Sequence, residues 1–256
     1  MDATRLNPTR AARLLIGTDL PSSGLEPALK EFYPRLDVLP AAQKRLWREL
    51  SSVPDEFVLY GGTALALHFG HRTSSDFDFF GGRALNLEEL EASIPFLTDA
   101  RIIRRETNTL TAIVDRGEPV KVSFFGVPKL PRLAPPLMAN ENNLKIASLI
   151  DLAGTKASVI QVRAEAKDYL DIDAFITLGK INLPTALAAA QMLYGPTFNP
   201  EITLKALSFF GDGNLQDLPD DLKQRLVAAV READLDHLPA LDGNSQRSDA
   251  DNGREI

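Results

Sequence analysis

Residues 59–80 read LYGGTALALHFGHRTSSDFDFF, and this stretch decides the fold. It opens at the end of a short apolar run, FVLY (Phe57–Tyr60), which reads as a buried strand. Gly61 and Gly62 break that run. TALALHFG then reads as a short helix, with Thr63 able to cap its start. DFDFF (Asp76–Phe80) reads as a second strand. Side chains on a strand alternate between faces, so Asp76 and Asp78 share one face and Phe77 and Phe79 the other.

Two carboxylates side by side repel unless a cation neutralises them. Mg²⁺ is the cation this pair suggests, because it is hard, takes carboxylate oxygens and bridges to substrate phosphates. The glycines supply the complement. Gly61 and Gly62 let the backbone approach a ligand, the helix start offers free N–H groups to a phosphate, and Thr63 adds a hydroxyl. Each feature alone is common in turns and edge strands. Together, with 13 residues between Gly62 and Asp76, they form the equipment of phosphoryl or nucleotidyl transfer. Arg72, just before the second strand, can bind nucleotide phosphate or balance the two aspartates. His68 and His71 are read as structural or peripheral.

Outward from this stretch, PAAQKRLWREL (Pro40–Leu50) has the start signals of a helix, and residues 87–98 read as helical. Thr109–Val114 and Val120–Phe125 are two β-rich runs joined by DRGEP, a hairpin. The proline-rich VPKLPRLAPP marks a boundary or a crossover. Helices are expected at about 143–164 and 166–178, with two or three more to about 239. The expected division is an N-terminal arm at 1–36, an α/β core at 37–135, a helical domain at 136–241 and a disordered tail at 242–256, which is low in hydrophobicity.

The 256 residues suffice for one large domain or two modest ones. No apolar run reaches the roughly 18 residues of a membrane span, and the N-terminus lacks the apolar core of a signal peptide. Cysteine is absent, which excludes thiolate metal sites and fits a cytoplasmic location. The net charge is −7, and residues 201–256 carry −6 of it, from 12 acidic and 6 basic residues. An overall acidic chain is not a general nucleic-acid binder, though a local basic groove is compatible with it.

GGTALALHFGHRTSSDFDFF resembles motif I of the DNA polymerase β-like nucleotidyltransferase superfamily. More narrowly it is similar to the AbiEii/AbiGii toxin family, whose members show GGTAL, then HR-S, then D-D-F. DLAGTKASVIQVRAEAKDYLDIDAFI (Asp151–Ile176) resembles that family's D-TK-R-KD-D helix pattern. The resemblance implies an α+β fold: a polymerase β-like nucleotidyltransferase core, a small mixed sheet with helices, followed by an α-helical C-terminal region. It also implies the toxin of a toxin–antitoxin pair, with a nucleoside triphosphate as substrate, RNA or tRNA as acceptor and a cognate antitoxin as partner.

In the second motif, Lys156, Arg163 and Lys167 are 7 and 11 residues apart, spacings that return to nearly one helix face. That stripe can contact a triphosphate, or be a solvated face paired with Glu165, Asp168 and Asp171. The resemblance assigns phosphate binding to Lys156, and to Asp168 either the orientation of a cation or the role of a base. Polymerase β-like enzymes carry a third carboxylate on a later strand. Here that strand is VKVSFF (Val120–Phe125), where period two puts Lys121 and Ser123 on one face, so the acid falls at Ser123. The site then works with two carboxylates and Lys121 on the phosphates, or Asp115 or Glu118 reaches in, or nucleotide is bound without transfer. The expected reaction is nucleotidyl transfer to RNA. A protein or small-molecule acceptor, or a silent nucleotide-binding protein, are the alternatives.

Overall fold

The computed structural model describes residues 29–128 and 130–241. The expectations for residues 1–28 and for the tail at 242–256 lie outside the described residues. Eight strands form one sheet: β1 (Glu31–Phe32), β2 (Phe57–Tyr60), β3 (Phe77–Gly81), β4 (Arg101–Glu106), β5 (Thr109–Asp115), β6 (Pro119–Gly126), β7 (Leu137–Ala139) and β8 (Lys145–Ile146). Their order across the sheet is β1-β7-β8-β2-β3-β6-β5-β4. The sheet is mixed, with β2 antiparallel to β3 and β3 parallel to β6.

The helices are α1 (Ala41–Trp47), α2 (Gly61–Phe69), α3 (Leu87–Ser93), α4 (Leu149–Val159), α5 (Ala166–Thr177), α6 (Leu183–Tyr194), α7 (Pro200–Leu207) and α8 (Asp220–Glu232). Phe77 and Phe79 point into the core as the alternation of β3 requires, and Phe79 stacks on Phe124 at 5.2 Å. Buried residues from both halves of the chain join one apolar cluster, from Leu46 and Phe79 to Leu152, Phe175 and Leu226.

The structure corrects the sequence reading in three places, and it decides between two alternatives in a fourth. The long helix expected at 143–164 is shorter: β8 occupies its beginning, α4 ends at Val159, and turns lead into α5. Thr63 does not cap α2. The helix starts two residues earlier, at Gly61, with Tyr60 as its N-cap and no side chain capping it. The strand β4 (RIIRRE) was not expected, because a mostly exposed edge strand need not alternate apolar and polar residues. The proline-rich stretch is a crossover within the sheet, since β7 and β8 follow it and pair beside β1 and β2. The sheet therefore takes strands from both sides of the 37–135 segment. No helix among the described residues is long and apolar enough to cross a membrane.

Candidate active site

The site lies where β2 ends and β3 and β6 begin. Asp78 stands opposite Tyr60 on one side and Ser123 on the other in the strand ladders. Its carboxylate rests against Gly61, where an added Cβ would sit 3.1 Å from Asp78 Oδ2. Gly61 has φ +75°, a conformation strained for any residue with a side chain. Glycine is needed there for conformation and for close approach. A Cβ on Gly62 would overlap the Arg72 guanidinium. Because no side chain caps α2, its first N–H groups are left for a ligand.

Asp76 precedes β3 and is held by backbone contacts. The Thr63 hydroxyl, 2% exposed, donates to the Asp76 carbonyl and lies 2.8 Å from Ser74 Oγ. Its hydroxyl is thus spent on the loop, and only its backbone N–H remains for a phosphate. From α1, the buried Gln43 donates Nε2 to the Ser75 carbonyl at 2.8 Å. The Asp76 carboxylate pairs with Lys121 Nζ at 2.6 Å. Burial pushes the Asp78 carboxyl above its ordinary pKa; Lys121 pulls it down and Asp76 pushes it further up.

Ser123 is buried directly opposite Asp78, so the register puts a hydroxyl where the third carboxylate was expected. Asp115 and Glu118 do not replace it. Ser123 pairs with Thr111, four residues along β5 from Asp115, or about 13 Å at strand rise. Asp115 also accepts the Gly117 N–H in the hairpin turn at 2.8 Å.

The cations of the second motif do not form a free stripe. Lys156 is on α4, Arg163 in the following turn and Lys167 on α5. Lys156 Nζ, buried, lies 2.7 Å from Asp168 and 2.6 Å from Asp171. Arg163 holds Asp168 through two N–H groups at 2.7 and 3.0 Å. Lys167 pairs with Glu165 on the surface at 2.7 Å. Arg72 forks onto Asp171 at 2.7 and 2.9 Å, and His71 Nε2 joins the same carboxylate at 2.7 Å. Burial works against the charged forms of Asp168 and Asp171. Arg163 and Lys156 nevertheless hold Asp168 below its ordinary value, and His71, Arg72 and Lys156 hold Asp171 below its own.

Asp171 is therefore the centre of a buried ionic hub. In the sequence it stands out only as a pairing partner for the basic stripe. Its signal was the spacing of three from Asp168, which puts both on one helix face. Gln43 carried no signal, because its contact spans 32 residues. His68 is structural: it is half-buried, its Nε2 lies 3.1 Å from the Ala147 carbonyl, and burial pushes its pKa down to about 4.

Among the described residues, no group of three or more His, Cys, Asp or Glu converges to hold a metal. The Asp76 and Asp78 pair still fits Mg²⁺. It presents hard oxygens on one face with Ser123 beside it, the kind of donor set such a cation takes.

The family model "Nucleotidyl transferase AbiEii toxin, Type IV TA system" matches residues 45–246. An uncharacterized protein of Aquifex aeolicus is 34% identical over 120 residues, which is 46% of this chain. The match spans 56% of that relative's length, little more than half of it. Among solved structures, MenT4, a nucleotidyltransferase toxin of Mycobacterium tuberculosis, aligns with TM-score 0.54 at 16% identity, over 76% of this chain and 83% of its own. At that identity the likeness speaks for the fold, a nucleotidyltransferase fold of the polymerase β-like kind.

Proposed function

We infer the reaction from one premise: the chain belongs to the nucleotidyltransferase AbiEii toxin family. It moves a nucleoside monophosphate from a nucleoside triphosphate to an acceptor, RNA or tRNA, as the toxin of a toxin–antitoxin pair. Its substrates put its work in the cytoplasm, and a cognate antitoxin is its protein partner. The observation that carries this reading is Asp76 and Asp78 on one face, beside the uncapped start of α2.

The acceptor hydroxyl attacks the α-phosphorus. Its new P–O bond forms as the bond to the bridging oxygen breaks, pyrophosphate leaves with the electron pair, and the hydroxyl proton passes to water. Asp76 and Asp78 are the ligands for Mg²⁺, which when bound supplies neutralising charge at the phosphates. The N–H groups of Gly61, Gly62 and Thr63 cradle the phosphate tail. Lys121 is 41% exposed and turns from Asp76 toward the phosphates. Lys156, buried near Asp78, adds positive potential from behind. Asp168 orients Lys156 and Arg163. It is no base, since two cations hold its charged form. Arg72 braces the loop before Asp76 against α5, and Lys167 stays outside the site.

A second reading is favoured by Ser123, which cannot act as an anionic ligand opposite Asp78. On that reading the protein binds nucleotide and transfers nothing. Incubation with Mg²⁺ and each labelled nucleoside triphosphate, with and without total tRNA, separates the two. Asp76→Ala and Asp78→Ala are the controls. Label on RNA that the controls lose supports transfer; label on protein changes the acceptor. Bound nucleotide with no label anywhere selects the silent protein.

A further inference from the structure

We propose that Lys121 couples cation binding to nucleotide binding, by holding Asp76 until a triphosphate draws its ammonium away; the proposal rests on the nucleotidyltransferase reading above. It starts from the strand register. β3 and β6 run parallel, with Phe77 beside Val122 and Asp78 beside Ser123. One residue earlier on each chain segment, Asp76 is level with Lys121, on the face that carries Asp78 and Ser123. The Lys121 ammonium lies 2.6 Å from Asp76 Oδ2. The other oxygen, Oδ1, accepts the Ser75 hydroxyl at 3.3 Å. Both oxygens of this carboxylate are thus engaged by groups of the chain. Mg²⁺ takes the same hard oxygens, and two cations within a few ångströms of each other repel. A divalent cation therefore gains Asp76 at the expense of the Lys121 contact.

Lys121 is built to leave. It is 41% exposed, on a flexible stem, and among the described residues Asp76 is its one ion-pair partner. The other cations around the site differ. Lys156 is buried between Asp168 and Asp171, and Arg72 and Arg163 face carboxylates that are fully buried. Of these four, Lys121 alone holds an exposed carboxylate, and that carboxylate is one of the two assigned to the cation.

The start of α2 lies beside the same pair. Asp78 Oδ2 rests against Gly61, the first residue of that helix, which no side chain caps. A triphosphate seated there brings several negative charges, against the single one of Asp76, and competes for the Lys121 ammonium. Each phosphate contact that Lys121 makes frees Asp76. Cation and nucleotide then strengthen each other's binding, because such coupling is reciprocal.

The test uses the full chain with Lys121→Met, Lys121→Gln and, as control, Lys205→Met on α7. Thermal melting confirms that each is folded. Mn²⁺ is titrated by paramagnetic resonance, alone and with an α,β-methylene nucleoside triphosphate, which cannot be transferred. The parent should bind Mn²⁺ more tightly with the triphosphate than without it. Both Lys121 variants should bind Mn²⁺ alone about tenfold more tightly than the parent, and the gain from the triphosphate should shrink by a similar factor. Lys205→Met should match the parent. In the nitrogen NMR spectrum of the lysine side chains, the signal missing from Lys121→Met should shift in the parent when Mg²⁺ and the triphosphate are added. Unchanged Mn²⁺ affinity in both Lys121 variants overturns the proposal while the site reading stands. So does a Lys121 signal that stays fixed as both ligands bind. Tighter Mn²⁺ binding with an undiminished triphosphate gain overturns it too, since Lys121 would then act only through its field. If the parent binds neither Mn²⁺ nor the triphosphate, the site reading falls and takes the proposal with it.

Discussion

Two clusters of aspartates and basic residues lie side by side in this molecule, and they are built oppositely. Around Asp168 and Asp171 the carboxylates are fully buried, and each meets at least two cations. Around Asp76 and Asp78 one carboxylate is 40% exposed with one lysine, and the other is half-buried beside a serine with no ion pair among the described residues. The first cluster is saturated, the second is short of positive charge. A saturated buried cluster fixes elements in place. A cluster lacking cations has capacity for one that arrives with a ligand. The same residue types do different work because their surroundings supply different partners.

The largest effect should come from breaking the saturated cluster. Asp171→Ala leaves Arg72, His71 and Lys156 without their shared anion in a buried place. It should lower unfolding stability by about 3–5 kcal/mol, read by urea denaturation. Asp78→Asn should do the reverse. It removes a carboxylate that burial disfavours, so stability should hold or rise. Nucleotide transfer should nonetheless fall by about 10²–10³ in the labelling assay. Equal destabilisation by the two substitutions would erase the distinction between the clusters.

Gln43→Leu sharpens the comparison at the edge of the open cluster. It removes the amide that holds the Ser75 carbonyl, and should cost about 1–3 kcal/mol. If Gln43 also aims Asp76, weaker binding of Mn²⁺, followed by paramagnetic relaxation of water, should accompany the loss. An unchanged Mn²⁺ titration would make Gln43 a packing residue only.

The smallest effect is in pH, and the two clusters carry opposite signs. Asp168 and Asp171 have folded pKa values below their ordinary ones. Their stabilisation is present above the ordinary carboxylate range, about 3.9, and is lost as pH falls through the folded values. Asp78 has a raised folded value. Its contribution is present below the ordinary range and lost as pH climbs from there to the raised value. Asp78→Asn should therefore remove a decline in stability just above pH 4 and leave the acid limb intact. A mutant whose curve keeps that decline would assign it to another group.

Much of the site was legible because its determinants are local. The strand–glycine–helix–strand order and the shared face of Asp76 and Asp78 follow from period two, which operates over a few residues, whereas the alignment of Ser123 with Asp78 across the parallel β3–β6 pair was expected only from the family resemblance. The short strands β1, β7 and β8 were not legible, because two or three residues carry no periodicity of their own. The single helix stripe through Lys156, Arg163 and Lys167 failed because α4 ends at Val159.

The sequence by itself determined the strand–glycine–helix–strand order of elements and the carboxylate pair, since alternation along one strand needs no distant contact. Tertiary structure alone decided which cations are spent. Arg72 meets Asp171 across 99 residues and Lys156 meets Asp168 across 12, contacts that exist only once the loop before β3 packs on α4 and α5. Spacing can assign a charged residue to a face. Only folding settles whether its charge is already matched, because that depends on partners brought from elsewhere in the chain.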